Sequence, residues 1–180
     1  LRVSSEYSIS QGLLTINQIV DNASKKSIPS VALTDKSNMF GLVKFFDKCE
    51  LAGIKPISGC SLNVIFDGDD DSHELLCLAK TNNGHKNLMK IISSAHNNYS
   101  YSSPIIQFKD LTELNDDIVV ISGGKNSHIF EYLRRNNISD AENKIDQFTK
   151  YFKDDFVLEI QKTNREDELE FIKNILPLSI

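Results

Sequence analysis

Positive charge is in short supply in this sequence. Lys and Arg contribute 20 residues against 25 Asp and Glu, which gives a formal net charge of −5. A domain that holds a nucleic-acid backbone by counterion release carries charge of the opposite sign. A locally basic face stays open, but the bulk charge argues against a domain whose own surface is the main contact to DNA.

Cysteine and long apolar runs are scarce as well. The three cysteines, Cys49, Cys60 and Cys77, are odd in number, far apart and embedded in apolar runs, so neither disulfides nor a zinc ribbon is expected. We predict buried thiols in a reducing cytoplasm. No apolar stretch approaches the roughly 20 residues that a bilayer span requires, and no membrane partner is expected.

The apolar content that is present suffices for one substantial core. The 180 residues are 40% hydrophobic, which favours a single domain over residues 1–180. The sequence starts at Leu1 instead of a methionine and ends just after the apolar run "FIKNILPLSI". We therefore expect a piece of a larger chain.

Short β-branched runs alternate with segments of helical period. The segment after Thr15 places its apolar residues on one helical face, and "VALT" follows as a buried strand. Strands separated by helices predict an α/β fold of parallel βαβ units, with six or seven strands. One excursion is hairpin-like, because the acidic turn "DGDDDSH" joins the strand-like runs "KPISGCSLNVIF" and "ELLCLAK". A closed (β/α) barrel usually takes about 250 residues, so a barrel here would be truncated at its C-terminal end.

The acidic turn has the beginning of a calcium-binding loop and lacks the rest. Asp67, Asp69 and Asp71 have the required spacing, but Ser72 stands where the loop needs glycine and Leu78 where it needs glutamate. We interpret the turn as a solvated hairpin tip.

The glycine pair in "GGKNS" lacks the upstream glycine of a phosphate-binding loop. Gly123 and Gly124 could still form an anion-binding nest at a helix start. A small-molecule-binding α/β domain that uses this nest is therefore one alternative.

The four histidines form no metal-binding pattern. No two of His73, His85, His96 and His128 are two or four residues apart, whereas metal sites usually draw on clustered histidines and carboxylates. The spacing predicts surface or helix-cap histidines. Taken alone, these residues describe an α/β domain without a visible active site.

Five longer segments of this sequence carry a family resemblance. They occur in this order: "LRVSSEYSISQGLL", "ALTDKSNMFGLVKFFDKCELAGIKPISGCSLNV", "LLCLAKTNNGHKNLMKIISSAH", "ISGGKNSHIFEYL" and "FVLEIQK". Together they resemble the PHP (polymerase and histidinol phosphatase) domains at the N-terminus of bacterial replicative DNA polymerase III alpha subunits. The resemblance runs from Leu1 to about Glu168 and is most specific from Ala32 to Asn63.

The resemblance implies a distorted (β/α) barrel of PHP type, whose intact members bind a cluster of metal ions at the strand ends. In those members the ligands are mostly histidines and carboxylates. The corresponding positions of this chain are Arg2, Ser4, Gln11, Lys36, Ser61, Glu74 and Thr163.

These replacements remove the chemistry of a metal cluster. Metal ions need neutral imidazole or carboxylate lone pairs, which a protonated arginine or lysine does not offer. Glu74 is the one plausible ligand kept, so we expect no metal and no catalytic residue in this chain. We expect ion pairs in the cleft instead, with Arg2 and Lys36 facing Glu6, Asp35 or Glu74.

The function that the resemblance implies is an inactive scaffold within a cytoplasmic DNA-directed DNA polymerase, a nucleotidyltransferase of DNA replication. Its expected partners are the rest of the polymerase chain and a separate proofreading exonuclease subunit, with DNA bound through the parent chain. Magnesium is expected for the parent polymerase and no cofactor for this piece. The loop tips "DGDDDSH" and "NNYSYSSP" are candidate contact sites. The alternative is a metal-dependent PHP phosphoesterase or a built-in proofreading nuclease, which requires intact ligands.

Overall fold

The computed structural model describes residues 1–9, 11–97, 104–163 and 168–179. Most of the predicted loop "NNYSYSSP" lies outside these residues. The helices are α1 (Ile16–Lys25), α2 (Leu42–Leu51), α3 (Asn82–Asn97), α4 (Phe108–Glu113), α5 (His128–Arg134), α6 (Ile138–Phe152) and α7 (Glu168–Ile175). The strands are β1 (Ser30–Leu33), β2 (Lys55–Ile65), β3 (Ser72–Ala79), β4 (Ile106–Gln107), β5 (Ile118–Ile121) and β6 (Phe156–Val157).

The first helix forms where the sequence predicts it. The Thr15 side chain accepts from the backbone N–H of Gln18, and the Gln18 side chain accepts from the Thr15 N–H, which makes a capping box. The apolar residues of α1 are buried on one face, as the helical period predicts. Among the described residues, none of the helices is both long and apolar enough to span a bilayer.

The six strands form one mixed sheet in the order β1–β2–β3–β5–β6, with β4 beside β2. The pairs β1/β2, β2/β4 and β5/β6 are parallel, whereas β2/β3 and β3/β5 are antiparallel. The acidic turn does join β2 to β3 as a hairpin, which confirms that prediction. Because this turn reverses the chain, β5 runs against β3, and the expected run of parallel βαβ units is interrupted.

The predicted barrel was wrong in one respect, because the sheet of the described residues is not closed. Its outer strands β1 and β6 do not pair with each other. Other contacts span the gap between β1 and β6. Val3 accepts a hydrogen bond from the Thr34 N–H (2.8 Å) beside β1, and the neighbouring Arg2 contacts Glu159 just beyond β6. The N-terminal segment therefore connects the two edges, through a backbone hydrogen bond at Val3 and the side chain of Arg2, in place of a continuous ladder.

The two faces of β3 pack against different surroundings. Leu75 and Cys77 belong to the large core beneath α3 to α6, whereas Leu76 and Leu78 belong to a small cluster on the other face. Side chains alternate along a strand, so His73 points to the large-core side and Glu74 to the small-cluster side. All three cysteines are buried free thiols, as expected.

Candidate functional site

On the small-cluster face of β3, one arginine lies between two carboxylates. Arg2 donates from Nη1 to Glu74 Oε1, from Nε to Glu159 Oε1 (2.9 Å) and from Nη2 to Glu159 Oε2 (2.7 Å). The side chains of Glu74 and Glu159 are only 5% and 14% exposed, and that of Arg2 is 26% exposed. We call Glu74, Arg2 and Glu159 the ion triad.

Contacts within the ion triad stabilise the charged forms of Arg2 and Glu159. Burial alone lowers the pKa of Arg2, but the hydrogen bond to Glu159 and the negative charge of Glu74 outweigh it, so the pKa is raised. Burial likewise raises the pKa of Glu159, but hydrogen bonds from Arg2 and Gln161 outweigh it, and the pKa is lowered. The fork of the guanidinium matches the Glu159 carboxylate in two parallel bonds, which is a strong arrangement.

Asp35 and Glu6 lie in other networks than the one expected from the sequence. Asp35 is 1% exposed and accepts from the Ser5 N–H, the Ser5 hydroxyl and the Ser8 hydroxyl, each at 2.7 Å. Glu6 accepts from the Ile16 N–H (2.8 Å) at the start of α1. Hydroxyls and backbone donors hold Asp35, whereas a backbone donor and the Lys44 ammonium (3.4 Å) hold Glu6, and Arg2 contacts neither carboxylate.

Lys36 lies beside the ion triad without joining it. Its backbone pairs with Ser61 in an isolated parallel bridge, and its N–H donates to the Ser8 hydroxyl (3.0 Å). The Lys36 ammonium has no ion-pair partner within the described part of the chain. Its side chain lines a cavity of about 540 Å³. The other residues of that cavity are Asn63, Asp71, Ser72, His73, Glu74, Asn126 and Glu131.

The remaining positions that the family resemblance assigns to metal ligands, called here the former ligand positions, are scattered. Ser61 is buried, and its hydroxyl has no hydrogen-bond partner among the described residues. Gln11 and Thr163 are exposed, and Thr163 donates to Glu168. Ser4 is half-buried near the start of the chain. The fold thus brings Arg2 and Glu74 into contact and Lys36 beside Ser61, but it gives no common centre to the whole set.

These residues do not fit the metal cluster of intact PHP domains. The guanidinium of Arg2 has no lone pair to donate, and it occupies the two carboxylates that could have served as ligands. Ser61 offers only a neutral hydroxyl, and Lys36 an ammonium. No chemical step through such a cluster follows from this site.

The glycine turn next to the ion triad has a packing role. Gly123 adopts a φ of +87°, and a Cβ at this position would lie 1.8 Å from the backbone oxygen of Glu74. Only glycine permits both the left-handed backbone and this close approach to β3. The helical turn that follows, Gly124–Asn126, has only three residues. Gly123 is thereby explained without an anion.

A second polar cluster, which the sequence spacing did not predict, lies on the large-core face of β3. His73 and His128 stack with ring centroids 3.9 Å apart and planes 8° apart, and both are buried. Asp69 Oδ2 lies 3.5 Å from His128 Nε2. The expectation of a surface or helix-cap histidine was wrong for His73, and His128 stands at the start of α5 but is buried. The antiparallel β3/β5 pairing brings the start of β3 next to the turn that leads into α5.

Burial lowers the pKa of both imidazoles in this cluster. For His73, burial outweighs the raising effect of Glu131 and other acids. For His128, burial, His73 and Lys144 together lower the pKa to about 3. Both rings are therefore neutral near pH 7 and carry a lone pair.

The chain is similar to known proteins over nearly its whole length. The chain is 36% identical over 182 residues to the DNA polymerase III subunit alpha of Escherichia coli K12, a match that covers 99% of this chain and 16% of that relative. The corresponding subunit of Vibrio cholerae is 33% identical over 174 residues, covering 96% of this chain and 15% of the relative. The chain thus spans about one sixth of the length of these relatives.

A solved amidohydrolase from Chromobacterium violaceum, with bound sulfate and no metal, is 21% identical, with a TM-score of 0.43 over 53% of this chain and 32% of that chain. The family model of the PHP domain matches residues 1–163, which is most of the sequence. The chain belongs to the PHP domain family.

Proposed function

We propose that this chain is the PHP domain of a replicative DNA polymerase III alpha subunit, in which it acts as a catalytically inactive scaffold. The single observation that carries the proposal is the ion triad, in which the Arg2 guanidinium holds Glu74 and Glu159 at former ligand positions or beside them. A positive side chain there replaces the charge that metal ions supply in intact members. Support for the polymerase context comes from the relatives named DNA polymerase III subunit alpha.

The same proposal covers the parent protein. Residues 1–180 form one PHP domain within a larger chain that carries out DNA-directed DNA synthesis in the cytoplasm. Magnesium then serves the polymerase reaction in parts of the parent chain outside this sequence, and DNA is bound mainly there. The net charge of −5 supports a domain that meets protein more readily than DNA.

The proposed partner is a separate proofreading exonuclease subunit. Polymerisation at genomic scale needs error removal, and an ion triad without metal ligands supplies no phosphoester cleavage. The activity therefore comes from another chain, for which the PHP domain is the anchor. The hairpin tip between β2 and β3 is one candidate contact, since Asp67, Asp70 and Asp71 are exposed there.

Two measurements test this proposal. Capture of the exonuclease subunit by the intact polymerase chain should be lost when residues 1–180 are deleted, while a deletion elsewhere serves as the control. Undiminished capture would leave only a structural role. Hydrolysis of a chromogenic phosphodiester with added manganese or zinc should be the same for the wild-type protein and Glu74→Gln, whereas a loss in Glu74→Gln would support the phosphoesterase alternative.

A further inference from the structure

The cluster of Asp69, His73 and His128 has the donor atoms of a metal site. Each residue offers one ligand atom, and these atoms all lie within 4.8 Å of one another. None of the three occupies a former PHP ligand position, and His73 faces the opposite side of β3 from Glu74. The cluster is therefore distinct from the ion triad.

Two atoms of the cluster are buried without a hydrogen-bond partner. Within the described residues, three buried side-chain oxygen or nitrogen atoms lack such a partner, and Asp69 Oδ2 and His128 Nδ1 are two of them. The contact of 3.5 Å between Asp69 Oδ2 and His128 Nε2 is too long for a good hydrogen bond. Buried polar atoms are normally paired, because leaving them unpaired costs free energy. A bound cation would pair with the unpartnered Asp69 carboxylate oxygen and with one nitrogen of each imidazole.

We propose that Asp69, His73 and His128 bind one divalent transition-metal ion of the zinc class. Two neutral imidazoles and a carboxylate suit zinc and its neighbours, whereas magnesium and calcium prefer oxygen ligands alone. Ligands of a tetrahedral zinc ion lie about 3.4 Å apart, so atoms that now lie up to 4.8 Å apart close by as much as about 1.4 Å on binding. The two stacked rings also turn out of their parallel arrangement, so that both lone pairs point at the ion. Asp69 lies in the turn between β2 and β3, and its side chain is 29% exposed, which leaves it room to move.

The bound ion clamps the β2–β3 turn to the start of α5. His73 is the second residue of β3 and His128 the first residue of α5. Glu131 Oε2 lies 3.8 Å from His73 Nδ1, and a carboxylate beside an imidazole ligand helps to hold the orientation of its ring. The metal thereby connects the hairpin tip to the helical layer.

Lys144 opposes the metal. Its ammonium lies 4.2 Å from the centroid of the Phe66 ring, and it interacts electrostatically with both Asp69 and His128. A metal ion bound to Asp69 is repelled by the positive charge of the Lys144 ammonium. Replacing Lys144 with an uncharged residue of similar length should therefore tighten metal binding.

Titration with Co²⁺, followed by visible absorption and by displacement with Zn²⁺, tests the proposal on the full-length chain that contains this sequence. The wild-type protein should bind one more equivalent than Asp69→Asn or the double variant His73→Gln/His128→Gln. His96→Gln removes an exposed histidine outside the cluster and should bind like the wild type. Glu74→Gln, on the other face of β3, should also bind like the wild type. Lys144→Met should bind severalfold more tightly.

Several results would overturn the proposal. One is a wild-type protein that binds no more Co²⁺ than the double variant. Another is loss of the ion in Glu74→Gln with retention in Asp69→Asn, which would put the metal at the former PHP positions. Unchanged or weaker binding by Lys144→Met would also contradict it. Because misfolding cannot tighten binding, this last variant decides the matter even if the double variant fails to fold.

Discussion

Neighbouring residues of β3 point into two sites with opposite electrostatics. On one face, the Glu74 carboxylate has a permanent cation, since Arg2 contacts both it and Glu159. On the other face, His73 lies among metal-type donors, two of which are buried without a hydrogen-bond partner. On the first face a cation compensates the buried carboxylates, whereas on the second face donor atoms come together without one, at a place that the family resemblance does not mark.

The largest loss of stability is expected at Gly123, whose close approach to the Glu74 backbone positions β3 and therefore both of its faces. Gly123→Ala forces a φ of +87° on alanine and puts its Cβ 1.8 Å from the backbone oxygen of Glu74. The free energy of unfolding should therefore fall by about 3 kcal/mol or more. Gly53→Ala is the matched control, because Gly53 has a φ of +68° but no neighbour within 4 Å. Its cost should be about 1 kcal/mol. Equal urea midpoints for the two variants would show that β3 tolerates the displacement.

Removal of the Arg2 guanidinium should disrupt the ion triad and leave the cluster on the other face of β3 intact. Arg2→Ala leaves Glu74 and Glu159 largely buried without their partner, which should destabilise the protein by about 2 to 3 kcal/mol in urea unfolding. The exposed pair of Lys44 and Glu6, 3.4 Å apart, provides the control. Lys44→Ala should cost less than about 1 kcal/mol. Similar losses in both variants would mean that the ion triad is no stronger than a surface ion pair.

The ion triad should also make stability depend on pH. Because the pKa of Glu159 is lowered in the folded state, its contribution is complete above the pKa of an unfolded glutamate and is lost as the pH falls through the lower folded value. Glu159→Gln should therefore cost about 1 to 2 kcal/mol at pH 7 and progressively less towards pH 3. Urea midpoints of both proteins across this range measure the difference. A constant gap would show that the charge of Glu159 does not matter.

The smallest effect is expected at Lys36. The sequence predicts an ion pair for it and hence a loss of roughly 1 to 3 kcal/mol in Lys36→Ala. The structure changes this expectation, since the ammonium lines a cavity and has no ion-pair partner within the described residues. Lys36→Ala should now shift stability by less than about 0.5 kcal/mol. A larger loss would show that Lys36 joins the ion triad in solution.

Local features of the fold were predictable because they depend on neighbouring residues. The capping box at Thr15 and the hairpin through the acidic turn are encoded within a few positions, and both are present. The parallel arrangement and barrel closure were not predictable in this way. They depend on which strands pair, and a single reversing turn between β2 and β3 changes the direction of β5 relative to β3.

In the two sites, too, residue types were predictable from the sequence and contacts between distant residues were not. Replacement of metal ligands by Arg2 and Lys36 was evident from the sequence, because the absence of a lone pair is a property of the residue type. The partner Glu159 was missed, although it lies in the quoted segment "FVLEIQK", since it follows Arg2 by 157 positions. The pairing of His73 with His128 was missed for the same reason.

The sequence by itself determined the family, the helical period of α1, the hairpin and the presence of two cations, Arg2 and Lys36, at positions that the resemblance assigns to metal ligands. Only the tertiary structure decided that Arg2 binds Glu74 and Glu159, that Lys36 stays apart, and that two histidines meet. The physical reason is that hydrophobic pattern and side-chain chemistry act locally, whereas contacts between distant residues follow from strand order and direction. These are decided by the packing of the whole sheet against its helices.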